Sequence, residues 1–207
     1  MKLLAGLPRR HYGAILADPP WHFRSYAASA NPESDRSVKY ATMSADEIKS
    51  LPIGDLASPD GAHLFLWATG PCLPQAIETM AAWGFKYSGT AFVWLKLRKT
   101  FTPAQLPYVS NIEKHFHVGL GFTTRKNAEF VLLGRRGNAR RLAKDVRELI
   151  FAPVREHSRK PDEVHERIER YCAGPYLELF ARQRRKGWTT RGDELGKFKR
   201  EKSFDTG

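Results

Sequence analysis

A carboxylate, two prolines and an indole stand in a row at Asp18, Pro19, Pro20 and Trp21, directly after the apolar run GAILA at 13–17. The run reads as a buried strand. Asp18 therefore stands at a strand's carboxyl end, where ligands bind in open α/β sheets. Two prolines fix φ and remove two backbone donors, so the loop is stiff and its carbonyls are free to accept. A carboxylate, a free carbonyl and an aromatic face together form a receptor for a planar ring that bears an amino group. Other chemistries find little support. No Cys/His cluster has zinc spacing, so no metal site is expected. There is no G-x-G-x-x-G and no P-loop; the glycine pair Gly119 and Gly121 is isolated.

The elements that must position this loop follow from hydrophobic patterning. Apolar runs predict strands at Ala14–Ala17, His63–Trp67, Thr90–Leu95, Glu129–Leu133, Glu148–Phe151, Tyr176–Ala181 and Trp188–Thr190. Ser44 followed by Glu47 predicts a capping box that opens a short helix through Leu51. A second helix is expected over Pro74–Trp83, with Ile77, Met80 and Ala81 on its buried face and Gly84 as its stop. A third is expected to start at Pro161 and to bury Val164, Ile168, Tyr171 and Cys172. Strands alternating with helices predict an α/β domain around a mostly parallel sheet. Two segments exceed ordinary connections, Phe23–Lys39 and Lys96–Lys126. Both interleave basic and aromatic residues and are expected to flank the site and engage substrate.

The chain of 207 residues is long enough for one domain with a real core. A single domain is expected over 1–195, with a polar, loose tail over 196–207. The formal net charge of +12 implies a polyanionic partner. The excess is uneven, with 20 Lys and Arg against 12 Asp and Glu over 134–207. Two cysteines, Cys72 and Cys172, form no disulfide framework and read as packing residues. The first six residues are too short for a signal peptide, and no apolar run reaches spanning length. The expectation is a soluble intracellular, cytoplasmic protein with no membrane partner.

Seven landmarks occur in order: ADPPW at 17–21, YATMS at 40–44, LFLW at 64–67, VWLK at 93–96, EFVLLG at 129–134, HSRKP at 157–161 and ELFAR at 178–182. In combination they resemble the DPPW-type adenine-N6 methyltransferases. That family includes the catalytic subunit of the eukaryotic messenger-RNA adenosine methyltransferase and bacterial and phage relatives. The resemblance implies a Rossmann-like S-adenosylmethionine-dependent methyltransferase fold with permuted motif order, in which 178–182 takes the place of the usual glycine-rich loop. It implies S-adenosylmethionine as methyl donor, with no metal and no covalent intermediate.

The same resemblance distributes roles. Asp18 and the Pro19 carbonyl, on the loop closed by Pro20 and Trp21, are expected to accept from the target amine, drawing its lone pair out of purine conjugation. Trp21 and Tyr40 would hold the base plane. Asp18 also faces the donor's ammonium and Lys160 its carboxylate. Glu178, Leu179, Phe180 and Arg182 surround the donor's ribose and adenine, and Asp193 and Glu194 are candidate acceptors for ribose hydroxyls. Arg24, Lys96, Arg98 and Lys99 are the candidate contacts to the substrate strand. This sequence departs from the family by carrying Arg184-Arg185 and Asp193-Glu194 where histidine-asparagine and asparagine-glutamine are common.

The expected reaction is N6-methylation of adenine in nucleic acid. A single domain with two cysteines leaves no zinc-coordinating RNA-binding module, so DNA is favoured over RNA. A homodimer or a partner subunit is left open. The competing readings are a non-catalytic nucleic-acid-binding subunit of the same fold, against which the intact motif at 18–21 argues, and an amine methyltransferase acting on protein or small molecules, against which the basic surface argues.

Overall fold

A computed structural model of the chain describes residues 3–22, 42–119, 123–156 and 158–198. Its centre is a seven-stranded sheet: β1 (Ala14–Ala17), β2 (Ala62–Ala68), β3 (Lys86–Leu97), β4 (Ala128–Arg136), β5 (Leu149–Pro153), β6 (Tyr176–Leu179) and β7 (Trp188–Arg191). The spatial order is β5-β3-β4-β2-β1-β6-β7. The pairs β1–β2, β1–β6, β6–β7 and β3–β5 are parallel, while β4 is antiparallel to both β2 and β3. Six strands thus point one way, as the α/β pattern predicts, and β4 alone runs back. The reversal matters for the site. It brings the start of β4, with Glu129, to the edge where the other strands end.

Alternation along the central strands sends side chains to two cores. Ile15 and Ala17 join Leu64 and Leu66 on one face; Ala14 and Leu16 join Phe65 and Trp67 on the other. The first face is covered by α1 (Ala45–Lys49) and α2 (Leu73–Ala82), the second by α3 (Glu163–Tyr171). The capping box that opens α1 is formed as predicted, with the Ser44 hydroxyl accepting from the Glu47 amide and the Glu47 carboxylate accepting from the Ser44 amide. The indole of Trp83 donates to the Ile48 carbonyl at 3.0 Å and locks α2 to α1.

The buried face of α2 differs from expectation. Ala76, Thr79, Met80 and Trp83 are buried, whereas Ile77 is exposed. Those four follow the i, i+3, i+4, i+7 stripe of one helix face, and Ile77 stands one step off it. On α3 the buried set is Val164, His165 and Ile168, followed by Cys172 at the cap, so a histidine joins the expected apolar stripe. Strand ends differ as well. The fourth strand runs on through Gly134 to Arg136 because these residues pair with the start of β2 and β3; at Gly134 a Cβ would stand 3.0 Å from that of Phe85 and 3.2 Å from Cε of Met80.

Gly196 to Phe198, expected to be loose, are described and held. The Gly196 amide donates to the Arg182 carbonyl at 3.1 Å, and the Phe198 ring lies beneath the Arg159 guanidinium. Residues 199–207 lie outside the described residues. No helix among the described residues is long and apolar enough to cross a membrane.

His63 is buried at the start of β2, edge-on to Tyr171 at 5.2 Å. Burial, aided by the Arg135 charge, pushes its imidazole from 6.5 down to about 4. As pH falls below 6.5 the unfolded chain binds the proton first, so stability is lost progressively down to about pH 4, by up to about 3 kcal/mol. Urea unfolding at stepped pH is expected to show this loss in the native chain and a shallower one in His63→Leu across the same window.

Candidate active site

The loop after β1 is built as a strut. With no amide hydrogen on Pro19 or Pro20, the first donor available is Trp21, whose N–H closes back on the Pro19 carbonyl at 2.8 Å. The Pro20 carbonyl accepts from Met43 at 3.0 Å. The carbonyls expected to be free therefore already hold one hydrogen bond each, and the Pro19 oxygen keeps one lone pair for a ligand. The Trp21 indole is buried in the core and donates to the Trp67 carbonyl at 2.9 Å. This corrects its expected task of holding a base plane: the ring joins the ends of β1 and β2 and offers little open face.

Asp18 stands above this strut and meets Lys160, whose Nζ lies 2.9 Å from Asp18 Oδ2. The same ammonium lies 3.3 Å from Glu129 Oε2, and Glu129 Oε1 accepts from Lys96 Nζ at 2.5 Å. The result is a row of alternating charges, Asp18, Lys160, Glu129, Lys96, drawn from β1, the turn before α3, β4 and β3. Two indoles floor it. Lys160 Nζ is 5.1 Å from the Trp67 ring and Lys96 Nζ is 5.0 Å from that of Trp94. Burial alone would raise the Glu129 carboxyl, but the flanking ammoniums of Lys160 and Lys96 outweigh it and hold the group down to about 2. Burial likewise disfavours the Lys160 charge, and Asp18 and Glu129 reverse that, holding the ammonium well above its ordinary value.

Beside this row opens a cleft lined by Asp18, Trp67, Lys160, Glu178, Phe180 and Arg182 among others. Two of its lining residues, Ser158 and Phe180, have left-handed backbones with φ of 64° and 60°. Such conformations cost non-glycine residues about 1–2 kcal/mol each and collect where a site needs a fixed shape. Arg182 braces both turns, donating to the Ser158 carbonyl at 3.2 Å and pairing through Nε with Glu194 at 3.0 Å. Lys160 is braced too. Arg155 donates to the Lys160 carbonyl at 2.6 Å while gripping Asp162 at 2.8 Å. Across the cleft His165 Nε2 lies 2.9 Å from Glu178 Oε2, and the buried His165 Nδ1 has no hydrogen-bond partner among the described residues.

The structure thus brings together Asp18, Lys160, Glu178, Phe180 and Arg182, as the motifs predict, and moves others. Leu179 is buried in the core, because Glu178 and Leu179 leave β6 on opposite faces. Asp193 and Glu194 do not line the cleft, and the Glu194 carboxylate is held by Arg182 and Lys197. Lys96 is a half-buried partner of Glu129, while Arg98 and Lys99, beyond the end of β3, are exposed. Arg24, Tyr40 and His157 lie outside the described residues, as does the segment Phe23–Lys39. Several residues of the site were not singled out from sequence, among them Trp67, Glu129, Ser158, His165 and Phe198. Trp67 and Glu129 terminate apolar runs at the site edge, which is the signal that could have marked them. His165 adjoins a core stripe and carries no such mark.

The donor set suits S-adenosylmethionine. Carboxylates at Asp18 and Glu178 can face an ammonium and ribose hydroxyls, cations can face a carboxylate, and the rings of Phe180 and Phe198 can face adenine. His165 Nδ1 adds a buried polar atom without a partner among the described residues.

Residues 12–194 match the MT-A70 family. The chain belongs to that family. That membership is what the order of the seven landmarks implies. The type II methyltransferase M.MunI of Mycoplasma sp. is 32% identical over 206 residues, covering 91% of this chain and 80% of that protein. The MT-A70-like N(6)-adenosine-methyltransferase of Arabidopsis thaliana is 30% identical, covering 89% of this chain and 24% of that protein. The human N(6)-adenosine-methyltransferase catalytic subunit METTL3 is 28% identical, covering 89% of this chain and 28% of its own length. The chain thus spans only about a quarter of these two eukaryotic relatives.

Replacing Glu129 by glutamine leaves two half-buried ammoniums without their shared carboxylate. Glu129→Gln is expected to lower unfolding free energy at pH 7 by about 3 kcal/mol. In the native chain this contribution is present above pH 4.5 and lost as pH falls towards 2; the variant should lack that acid-dependent part. Urea titrations at neutral and acidic pH read both.

Proposed function

We propose that the chain transfers a methyl group from S-adenosylmethionine to N6 of adenine in nucleic acid, with DNA as its substrate. The observation that carries this reading is the position of Asp18: at the carboxyl end of β1, fixed by Lys160, on the wall shared with Glu178 and Phe180. When bound, S-adenosylmethionine supplies an electrophilic methyl on a sulfonium centre.

The residues of this chain prepare the amine. The Asp18 carboxylate accepts from N6–H, and the remaining lone pair of the Pro19 carbonyl is the second acceptor. Both turn the nitrogen lone pair away from the purine and offset the positive charge that develops on it. Lys160 fixes the direction of the Asp18 carboxylate, and its ammonium would pair with the donor's carboxylate. Glu129 and Lys96 hold Lys160 from behind, so the acceptor is in place before substrate arrives. Glu178, steadied by His165, would accept from the donor's ribose hydroxyls, and Phe180 would hold its adenine. Base amines of a duplex face their pairing partners, so the target must be unstacked or single-stranded, at a cost of a few kcal/mol. Cytoplasmic residence agrees with two buried, unpaired cysteines.

DNA is favoured because the similarity to a type II methyltransferase extends along most of that protein, whereas the N(6)-adenosine enzymes match over about a quarter of theirs. Nucleoside mass spectrometry after incubation with matched DNA and RNA oligonucleotides is expected to find N6-methyldeoxyadenosine. N6-methyladenosine from RNA alone would overturn the choice of DNA and keep the chemistry.

Asp18→Ala is expected to lower turnover by at least ~10²-fold, the scale of losing one preorganised electrostatic group, while the fold survives because Lys160 keeps Glu129. Single-turnover assays with labelled donor, alongside thermal unfolding, read the two effects separately. Turnover near that of the native chain in folded Asp18→Ala would remove Asp18 from the reaction.

A further inference from the structure

Between β3 and β4 the chain leaves the sheet at the edge where Asp18 stands. Its root is tied to the charge row: the His117 amide donates to the Lys96 carbonyl at 2.7 Å, and the Lys96 amide donates to the Asn127 carbonyl at 2.8 Å. Above the root the excursion is pinned again. The Arg98 amide donates to the His115 carbonyl at 2.8 Å, and the rings of Phe101 and His115 stack at 4.1 Å. Thr102 and Gln105 form a capping box that opens the 3-10 turn Pro103–Tyr108, whose prolines at 103 and 107 stiffen it further. Asn111 caps the next turn, Ile112–His115.

This braced excursion ends its first turn on Tyr108, which is 87% exposed. A phenol ring held out on a stiff support gains nothing from the fold, and it loses little entropy on meeting a partner. The charges around it select the partner. Residues 98–127 carry five Lys and Arg against one acid, Glu113, and none of the five forms an ion pair among the described residues. Cations interleaved with an open aromatic face form a surface for a single strand, in which bases stack and phosphates pair.

We propose that Tyr108 stacks on an unpaired base of the substrate strand, with Arg98, Lys99 and Lys114 on the adjoining phosphates, so that the excursion guides the strand towards Asp18. The proposal rests on the nucleic-acid reading above and names the part of the chain that holds the strand.

Fluorescence anisotropy with a labelled single-stranded DNA oligonucleotide and the full chain tests it, using Tyr108→Ala, Tyr108→Phe and the triple variant Arg98→Gln, Lys99→Gln, Lys114→Gln. Tyr108→Ala is expected to weaken binding by about 10-fold and Tyr108→Phe to restore it, since stacking needs the ring and not the hydroxyl. Tyr108→Ala should leave the salt dependence unchanged. The triple variant should flatten it, by about 0.7 for each phosphate of a single strand that is no longer neutralised. Affinity for S-adenosylmethionine by calorimetry should be the same in Tyr108→Ala as in the native chain. If the native chain binds and methylates the strand while Tyr108→Ala binds it equally well, the proposal is overturned and the nucleic-acid reading stands. A change in self-association by light scattering with unchanged strand affinity would overturn it too, giving the ring to a protein interface. Failure of the native chain to bind any oligonucleotide would overturn both readings together.

Discussion

The alternating row of Lys96, Glu129, Lys160 and Asp18 holds the working edge of the sheet together. Its four members come from β3, β4, the turn before α3 and the loop after β1, and none is close to another in sequence. Each half-buried charge is tolerable only because an opposite one touches it. Removing either inner member, Lys160 or Glu129, leaves an end of the row desolvated and unpaired, a larger loss than the pair's net contribution. The row therefore constrains position more than it adds stability. It requires the antiparallel course of β4, because a parallel strand would place Glu129 at the far edge, away from both lysines.

The cleft beside this row is shaped without a glycine-rich loop. Ser158 and Phe180 take left-handed backbones that other sequences give to glycine, and Arg182 ties the two turns to one another through the Ser158 carbonyl and Glu194. A glycine is needed where two backbones cross beside the cleft. At Gly192 a Cβ would stand 2.2 Å from the Ala181 oxygen, so the crossing of the β6 and β7 ends admits no side chain. The strain at Ser158 and Phe180 is offset by these braces and yields a wall whose acceptors are in place before any ligand arrives.

Charge is arranged differently on the two sides of this edge. Inside, lysines are matched by carboxylates and serve the geometry. Outside, on the excursion between β3 and β4, basic residues outnumber acids and are exposed. Lys96 and Arg98, two residues apart, fall on opposite sides of that divide because β3 ends between them at Leu97. A cationic rim thus adjoins a charge-balanced interior, the division of labour that the proposed function calls for.

The amino-acid sequence by itself determined the strands, the helix caps and the family. Apolar runs record burial, Ser44 and Glu47 cap the helix between them, and the order of landmarks such as 17–21 and 178–182 is a local property of the chain. These marked Asp18, Lys160, Glu178, Phe180 and Arg182 as companions, and the structure brings them to one cleft. Periodicity carries no direction and no neighbours, so the reversed β4, the register that sets Glu129 opposite Lys160, and the buried face of α2 came only from the tertiary structure. Local composition could not say that Lys96 turns inward while Arg98 turns out, or that Trp21 is spent on the Trp67 carbonyl. Those outcomes depend on which distant group satisfies a buried charge or donor, and only the folded chain brings the two within reach of each other.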